Sequence, residues 1–309
     1  MSNETGHGAT SSTPPGGAAA PALRTVLETL AIVALVLIVV ALAVLAYGTA
    51  RWDRETRDLR ARLDAAREPV QPRTVDFREL AALPEVVQRY FRSVLVDGQP
   101  MIGGARVSHR GAFRMGESTE RWRPFTSDQR VVTRRPGFDW NARISMLPGL
   151  TVRVHDAYIA GEGILHAAIA GAFTVADLRG TREIAEGELM RFIAEAAWYP
   201  TALLPSQGAQ WEAVDAQSAR VTVADGPLSL TMTVQFDDEG LIRSVGAATR
   251  GRTVGDRVIP TPWEGRFWTY ERRGGMLVPL DGEVAWLLPE GEQPYWRGRI
   301  TELQYEFAE

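Results

Sequence analysis

The pattern of apolar positions changes twice along the chain, and each part predicts a different element. From Leu30 to Tyr47 no charged or strongly polar side chain interrupts an apolar run, which with its flanks reaches the roughly 20 residues that a membrane-spanning helix needs. Between Arg51 and Glu68 arginine alternates with acidic residues, which predicts a solvated helical stalk. From Ala105 onward the apolar period shortens from 3.6 to 2, which predicts a β-rich domain.

The strands of this domain are predicted from alternation and turn signals. Alternation is clearest from Leu228 to Phe236, and an Asp-Glu-Gly turn leads this strand into a second one at Ile242–Thr249. The same pattern predicts further strands at 105–115, 129–134, 138–146, 151–159, 164–169, 263–272, 276–288 and 295–307. Long strands joined by short turns predict an α+β domain with one large curved antiparallel sheet, a half-barrel covered by helices.

One amphipathic helix interrupts the strands, between residues 187 and 198. Pro200 disfavours helical geometry for the residue before it, so the helix should end near that point. Arg191 and Glu195 lie four residues apart on the polar face, as in a surface ion pair. We expect the helix to cover the concave face of the sheet. Its apolar stripe and the aromatic pair at its end supply the candidate ligand-binding residues: Leu189, Phe192, Ile193, Trp198 and Tyr199.

These patterns divide the chain into four segments. Residues 1–23, rich in small residues and proline, are predicted to be a disordered tail, and residues 24–50 a transmembrane helix. Residues 51–72 form the charged stalk and linker, and residues 73–309 the α+β half-barrel domain. A cleaved signal peptide is the alternative to the anchor, but its apolar core would span only about 7–15 residues and follow a basic start. We therefore expect a retained single-pass anchor, with the lipid bilayer as a partner.

Composition excludes several classes of function. The chain has 309 residues, 45% of them hydrophobic, and a formal net charge of −4, so it lacks the basic footprint of a nucleic-acid-binding protein. All 34 basic residues are arginine, which excludes a phosphate-binding loop of the Gly-Lys-Ser/Thr type and a lysine nucleophile. The absence of cysteine excludes thiol catalysis, disulfides, cysteine-ligated zinc and lipidation of cysteine.

Two histidines are the strongest candidates for chemistry. His155 and His166 lie on the two arms of a predicted hairpin, with Asp156 beside the first. If the turn is the dipeptide Ala160-Gly161 the imidazoles face each other across the pair, whereas a four-residue loop would take them out of register. A third metal ligand at recognisable spacing is lacking, so we predict neither a metal nor a cofactor. An enzyme of unknown reaction that uses His155, Asp156 and His166 remains the alternative function.

The nine tryptophans allow two interpretations. Aromatic side chains contribute most of the buried surface in β-rich domains, so each tryptophan could simply fill the core. They could also line an apolar concavity beneath the covering helix that binds a lipid or another hydrophobic small molecule. Both interpretations can hold together if tryptophans on one face of the sheet fill the core and those on the other face line the cavity.

Three segments carry a resemblance to known families. They are F-D-W-N-A at 138–142, L-M-R-F-I-A-E-A-A-W-Y-P-T-A-L-L within the covering helix and its end, and the closing meander that contains V-Q-F-D-D-E-G-L-I-R-S-V and W-E-G-R-F-W-T-Y. Their order resembles the lipoprotein-carrier superfamily, whose members fold an antiparallel sheet into a half-open barrel lidded by helices. The segment L-P-E-V-V-Q-R-Y-F-R at 83–92, with A-E-A-A-W-Y-P-T-A-L-L, resembles a bacterial family known only as a domain of unknown function, over roughly residues 75–307.

The resemblance implies a bacterial membrane protein that binds a hydrophobic or lipid-like ligand without catalysing a reaction; a protein-interaction domain is a further alternative. The chain departs from diffusing carriers because it keeps an anchor and has no cysteine to lipidate. Arg24 is the only basic residue before the apolar run, whereas six arginines follow within about 20 residues, and the positive-inside rule then puts the domain in the cytoplasm. Carrier-like folds mostly work outside the cytoplasmic membrane, which favours the opposite side. We follow the charge count and predict that the domain lies in the cytoplasm.

Overall fold

The computed structural model describes residue 8 and residues 19–115, 121–255 and 257–308. Most of the predicted disordered tail therefore lies outside the described residues. The described residues form three α-helices, α1 (Ala19–Ala66), α2 (Glu85–Val94) and α3 (Arg182–Glu195). The strands are β1 (Ile102–Arg114), β2 (Trp122–Val132), β3 (Gly137–Leu147), β4 (Leu150–Ile159), β5 (Glu162–Ile169), β6 (Phe173–Arg179), β7 (Gln210–Ala213), β8 (Ser218–Asp225), β9 (Leu228–Phe236), β10 (Ile242–Val254), β11 (Arg257–Arg273), β12 (Met276–Leu288) and β13 (Gly291–Phe307).

The chain divides into two units, residues 1–47 and residues 48–309. The described part of the first unit is residue 8 and the N-terminal portion of α1, whose large apolar side chains are mostly exposed from Leu23 onward. Among the described residues, α1 is the one helix long and apolar enough to cross a membrane.

The second unit is built on one antiparallel sheet of thirteen strands. Their order is β6-β5-β4-β3-β2-β1-β13-β12-β11-β10-β9-β8-β7, so β1 and β13 join the two halves of the sheet at its centre. The consecutive strands β6 and β7 lie at opposite edges, and the connection between them must cross the whole sheet. Helix α3 makes this crossing and contacts β3, β4 and β5 of one half as well as β9 and β10 of the other. The predicted curved sheet covered by a helix is confirmed.

Alternation accounts for most of the strands. In β9 the apolar residues from Leu228 to Phe236 are buried at every second position, and the residues between them are exposed or half-buried. The same rule places Phe138 and Trp140 on the concave face of β3, while Asp139 and Asn141 point to the other face. Strands β6, β7 and β8 and residues 122–128 of β2 are not predicted from the sequence.

The C-terminal part of α1, residues 48–66, differs from the solvated stalk that the sequence predicts. Trp52, Leu59 and Leu63 lie on one stripe of this helix and are all at most 3% exposed. The two leucines pack with a cluster of apolar side chains on the convex face of the sheet, among them Val132 and Ile164. The charged residues occupy the other face. Burial of this stripe is the reason that the segment lies on the domain, and the prediction of a solvated stalk is wrong for this face.

Candidate functional site

A cavity of about 260 Å³ lies between α3 and the concave face of the sheet. Eight aromatic side chains line it, of which five are tryptophans: Trp140, Trp198, Trp263, Trp286 and Trp296. Strand alternation explains part of this wall, because Trp263, Gly265 and Phe267 are successive inward positions of β11. Both interpretations of the tryptophans apply to this wall. All five tryptophans line the cavity, and the rings of Trp140, Trp198 and Trp263 are also nearly fully buried.

Of the five residues predicted to bind ligand, one lines this cavity. Trp198 belongs to the lining, whereas Leu189, Phe192, Ile193 and Tyr199 are at most 2% exposed and pack into the core. The Tyr199 hydroxyl donates a hydrogen bond to the Phe192 carbonyl at 2.8 Å, which fixes the aromatic pair against the helix. The apolar stripe of α3 therefore attaches the helix to the sheet, and the charged face of the helix points into the cavity.

Arg191 is the centre of that charged face. Its Nε donates to Glu195 at 2.7 Å and its Nη1 to Asp156 of β4 at 2.5 Å. The guanidinium lies 4.9 Å and 4.8 Å from the ring centroids of Phe138 and Trp140. Burial opposes the charge, but the neighbouring carboxylates hold the pKa of Arg191 above its ordinary value. The expectation of a surface ion pair is wrong, because the Arg191 and Glu195 side chains are only 14% and 12% exposed.

A second acidic residue, Glu188, lies beside this pair. Its side chain is 8% exposed, and one carboxylate oxygen lies 3.8 Å from the Arg250 guanidinium. Burial, followed by the charge of Asp156, raises the pKa of Glu188 well above its usual range. The polar end of the cavity thus combines carboxyl groups with arginines that are already paired with carboxylates.

Several polar atoms of the cavity lining lack a protein partner. Among the described residues, six buried side-chain atoms have no hydrogen-bond partner, and four of them belong to residues of the cavity lining. These four are Trp140 Nε1, Trp198 Nε1, Asp156 Oδ1 and Glu188 Oε2. A buried polar group left unpaired costs about 1–3 kcal/mol. The two indole N–H donors therefore remain available in one aromatic cavity, while the carboxyl groups of Asp156 and Glu188 hydrogen-bond to each other through the proton on Glu188.

His109 on β1 lies behind the cavity wall and is a residue that the sequence analysis misses. Its ring centroid is 5.0 Å from that of Trp198 and 6.0 Å from that of Trp296. Its Nδ1 is 3.3 Å from the Ser127 hydroxyl. Burial, with a smaller contribution from the Arg191 charge, lowers the pKa of His109 to about 3. The only signal in the sequence is that His109 follows the buried Val107 at strand spacing.

His155 and His166 face each other across β4 and β5, as a two-residue turn at Ala160-Gly161 requires. Both turn residues have positive φ, 54° and 88°, which is the geometry of a tight hairpin turn. The ring of Trp52 stacks on both imidazoles, with centroid separations of 4.4 Å and 5.1 Å.

The ring nitrogens of this pair are engaged in hydrogen bonds. His155 contacts Asp139 and Thr56, each at 3.0 Å, and His166 contacts Glu55 at 3.0 Å and Thr174 at 3.2 Å. Asp156 points to the opposite face of the sheet, so the alternative catalytic trio is not brought together. In the described ranges no group of three or more histidine or acidic residues is placed to hold a metal ion.

A more open groove adjoins the cavity. It has a volume of about 520 Å³ and shares Glu183, Gly187, Arg250 and Gly251 with the cavity lining. Met190 and Pro260 contribute to its other walls. The groove and the cavity therefore lie on either side of the four shared residues.

One protein-family model matches most of the chain. Residues 81–305 match the family described as a family of unknown function (DUF6920). The chain belongs to this family. No curated protein matches the chain in sequence.

Two solved structures are similar to this DUF6920 protein at low sequence identity. A LolA superfamily protein from Nitrosomonas europaea is 9% identical, with a TM-score of 0.31 over 72% of this chain and 92% of that one. A beta-barrel-like protein of a domain of unknown function (DUF1849) from Brucella abortus is 9% identical, with a TM-score of 0.26 over 67% of this chain and 99% of that one. The resemblance to a family of unknown function that was stated from the sequence is confirmed by the family match over residues 81–305.

Proposed function

We propose that this DUF6920 protein is a single-pass bacterial membrane protein that binds a hydrophobic or lipid-like ligand in the cavity between α3 and the sheet. The observation that carries the proposal is the wall of eight aromatic side chains around a cavity of about 260 Å³. Ligand sites are concave and mostly apolar, with a few polar groups that orient the ligand. Trp198 is the predicted binding residue that meets this description, together with the tryptophans of β3, β11, β12 and β13.

The anchor supports the class of ligand. The apolar run Leu30–Tyr47 lies within one helix, and its side chains are exposed in the first unit, as they would be in contact with lipid. A protein held at a bilayer meets amphiphiles at high local concentration. The positive-inside rule favours the cytoplasmic side of a bacterial cell membrane for the domain.

Gly265 offers a direct test because its missing side chain leaves the cavity open. A Cβ at this position would meet Trp263 at 3.5 Å and Val245 at 3.9 Å, which are ordinary contacts, so a larger side chain would extend into the cavity. The full-length protein in phosphatidylcholine nanodiscs is titrated with the neutral hydrophobic probe N-phenyl-1-naphthylamine. Probe emission is excited through tryptophan, with empty nanodiscs as the blank. We expect Gly265→Leu to weaken binding by at least about tenfold.

Gly265→Ala is the matched control, because it adds one methyl group at the same position and should change affinity by less than about threefold. Thermal unfolding of both variants establishes that they are folded. A folded Gly265→Leu protein that binds the probe as tightly as the wild type would contradict the proposal. Extraction of purified protein with organic solvent, followed by mass spectrometry, identifies any lipid that is retained by the wild type and lost from Gly265→Leu.

A further inference from the structure

Resting on the proposed function, the geometry points to one class of ligand: an amphiphile whose polar end is uncharged and carries hydroxyl groups, such as an acylglycerol or an alkyl glycoside. The polar end would lie against Trp140, Asp156, Glu188 and Trp198. An amphiphile with a carboxylate or phosphate at its end would be excluded.

The unpartnered atoms select a group that both donates and accepts hydrogen bonds. Trp140 Nε1 and Trp198 Nε1 are donors without an acceptor, whereas the carboxyl groups of Asp156 and Glu188 hydrogen-bond to each other through the proton that the raised pKa keeps on Glu188. An indole N–H can only donate, and a carboxyl pair that shares one proton still accepts through its remaining lone pairs. A carboxylate or phosphate monoester ligand would satisfy the indoles alone, and an ammonium group would satisfy the carboxyls alone. Hydroxyl groups can satisfy both sets.

The charges of the lining act against an anion. Five acidic side chains and three arginines line the cavity. Each of these arginines already lies within 4 Å of a carboxylate: Arg191 of Asp156, Arg250 of Glu188 and Arg266 of Glu264. Burial and the charge of Asp156 already raise the pKa of Glu188, so this end of the cavity disfavours negative charge. A further anion placed here would meet the same repulsion in a site with little solvent.

The apolar part of such a ligand has space along the aromatic wall and beyond. The cavity, at about 260 Å³, is slightly smaller than the roughly 300–1,000 Å³ typical of small-molecule sites. It accommodates a head group and the first carbons of a chain. The adjoining groove of about 520 Å³ begins at Gly187 and Arg250, which belong to both, and can take the remainder of the chain.

Competition among ligands with one chain length tests the inference. The full-length protein in phosphatidylcholine nanodiscs is loaded with N-phenyl-1-naphthylamine, and the probe is displaced at neutral pH by 1-monodecanoylglycerol, decanoate, decylamine or glycerol. We expect monodecanoylglycerol to compete at a concentration at least about tenfold lower than decanoate or decylamine. Decanoate or decylamine competing as well as the acylglycerol would overturn the inference and leave the proposed function standing. Displacement by glycerol alone at similar concentrations would also overturn it, because no chain would then be required.

Two variants assign the preference to this end of the cavity. Trp198→Phe replaces the indole with a phenyl ring and so removes the N–H donor, and we expect monodecanoylglycerol affinity to fall about 3- to 10-fold more than affinity for the probe. Trp268→Phe is the matched control, because Trp268 is 46% exposed and is not part of the lining. Asp156→Asn removes the charge that faces Glu188, and the ratio between the acylglycerol and decanoate affinities should fall toward one. An unchanged ratio in Asp156→Asn would contradict the assigned role. Failure of the probe itself to bind would refute the proposed function instead.

Discussion

At the scale of single residues, Arg191 shows why local sequence rules misplace the charged face of α3. An arginine and a glutamate four residues apart are usually a solvated pair worth a few tenths of a kcal/mol. Here Asp156, which is distant in sequence, approaches from β4 and turns the pair into a buried network at the cavity. No spacing along the helix contains that information. The five residues predicted from the apolar stripe are buried as expected of such a stripe, but the cavity lies on the polar side of the helix, and only Trp198 at the helix end reaches it.

His109 makes stability depend on pH in a calculable direction. Its folded-state pKa of about 3 lies below the ordinary value of 6.5, because burial and the Arg191 charge oppose protonation. Unfolding therefore takes up a proton at every pH between these values. The contribution of His109 to stability is fully present above pH 6.5 and is lost as the pH falls toward 3, by about 1.4 kcal/mol for each pH unit. Urea unfolding of the detergent-solubilised protein at a series of pH values measures this slope. We expect the slope for His109→Phe to be smaller by about 1.4 kcal/mol per pH unit, because unfolding of this variant takes up one proton fewer.

Ser127→Ala provides the control for this prediction, since it removes the hydroxyl beside Nδ1 but keeps the buried imidazole. Its slope should match that of the wild type. Equal slopes for His109→Phe and the wild type would show that the imidazole is protonated in the folded protein, contrary to the burial argument.

At the scale of elements, the sequence predicts what repeats and misses what is short or depends on a distant partner. The bounds of β12 at Met276–Leu288 are predicted to the residue. β7 has four residues, and the side chains of the edge strand β6 are largely exposed, so neither shows a recognisable alternation. The buried stripe of α1 was recognisable: Trp52 precedes Leu59 and Leu63 by 7 and 11 positions, which is helical spacing. The dense charges between these residues conceal the stripe.

Trp52 is the main attachment of the α1 segment to the sheet. It stacks on His155 and His166, and its Nε1 donates to Asn141 Oδ1 at 3.0 Å. Truncation of a buried tryptophan costs about 3–5 kcal/mol. We expect Trp52→Ala to release the helix locally, so that backbone amides of residues 52–66 lose hydrogen-exchange protection before those of β3 to β5. The measurement is hydrogen–deuterium exchange of the full-length protein, followed by mass spectrometry.

Arg54→Ala is the matched control, because Arg54 lies on the exposed face of the same helical turn. Protection of residues 52–66 should be retained in this variant. Equal hydrogen-exchange protection of residues 52–66 in Trp52→Ala and Arg54→Ala would contradict this prediction. It would show that the leucine cluster, and not the stacked tryptophan, holds the helix on the sheet.

At the scale of the whole molecule, the architecture depends on contacts that no local pattern encodes. The pairing of β1 with β13 joins segments about 200 residues apart, and the chain crosses the sheet between β6 and β7. The resemblance stated from the sequence predicts the half-barrel and its covering helix. The order of the strands and the position of the cavity follow from tertiary structure alone. The cavity lies where α3 meets both halves of the sheet, so its wall comes from strands distant in sequence.

The side of the membrane that holds the folded domain is the last prediction, and the lack of cysteine makes it directly testable. Six arginines follow the apolar run within about 20 residues and one precedes it, so the positive-inside rule puts the domain in the cytoplasm.

Ala216, in the turn between β7 and β8, is exposed and suits a single labelled cysteine. Ser206 does not, because it is half-buried and hydrogen-bonded to Glu79. With Ala216→Cys in intact bacterial cells, we expect no reaction with a membrane-impermeant maleimide and full reaction after lysis. A cysteine at Ser11, before the apolar run, should show the reverse accessibility and react in intact cells. Labelling of Ala216→Cys in intact cells, with protection of Ser11→Cys, would put the domain outside the cytoplasm and show that the arginines of the α1 segment do not determine the topology.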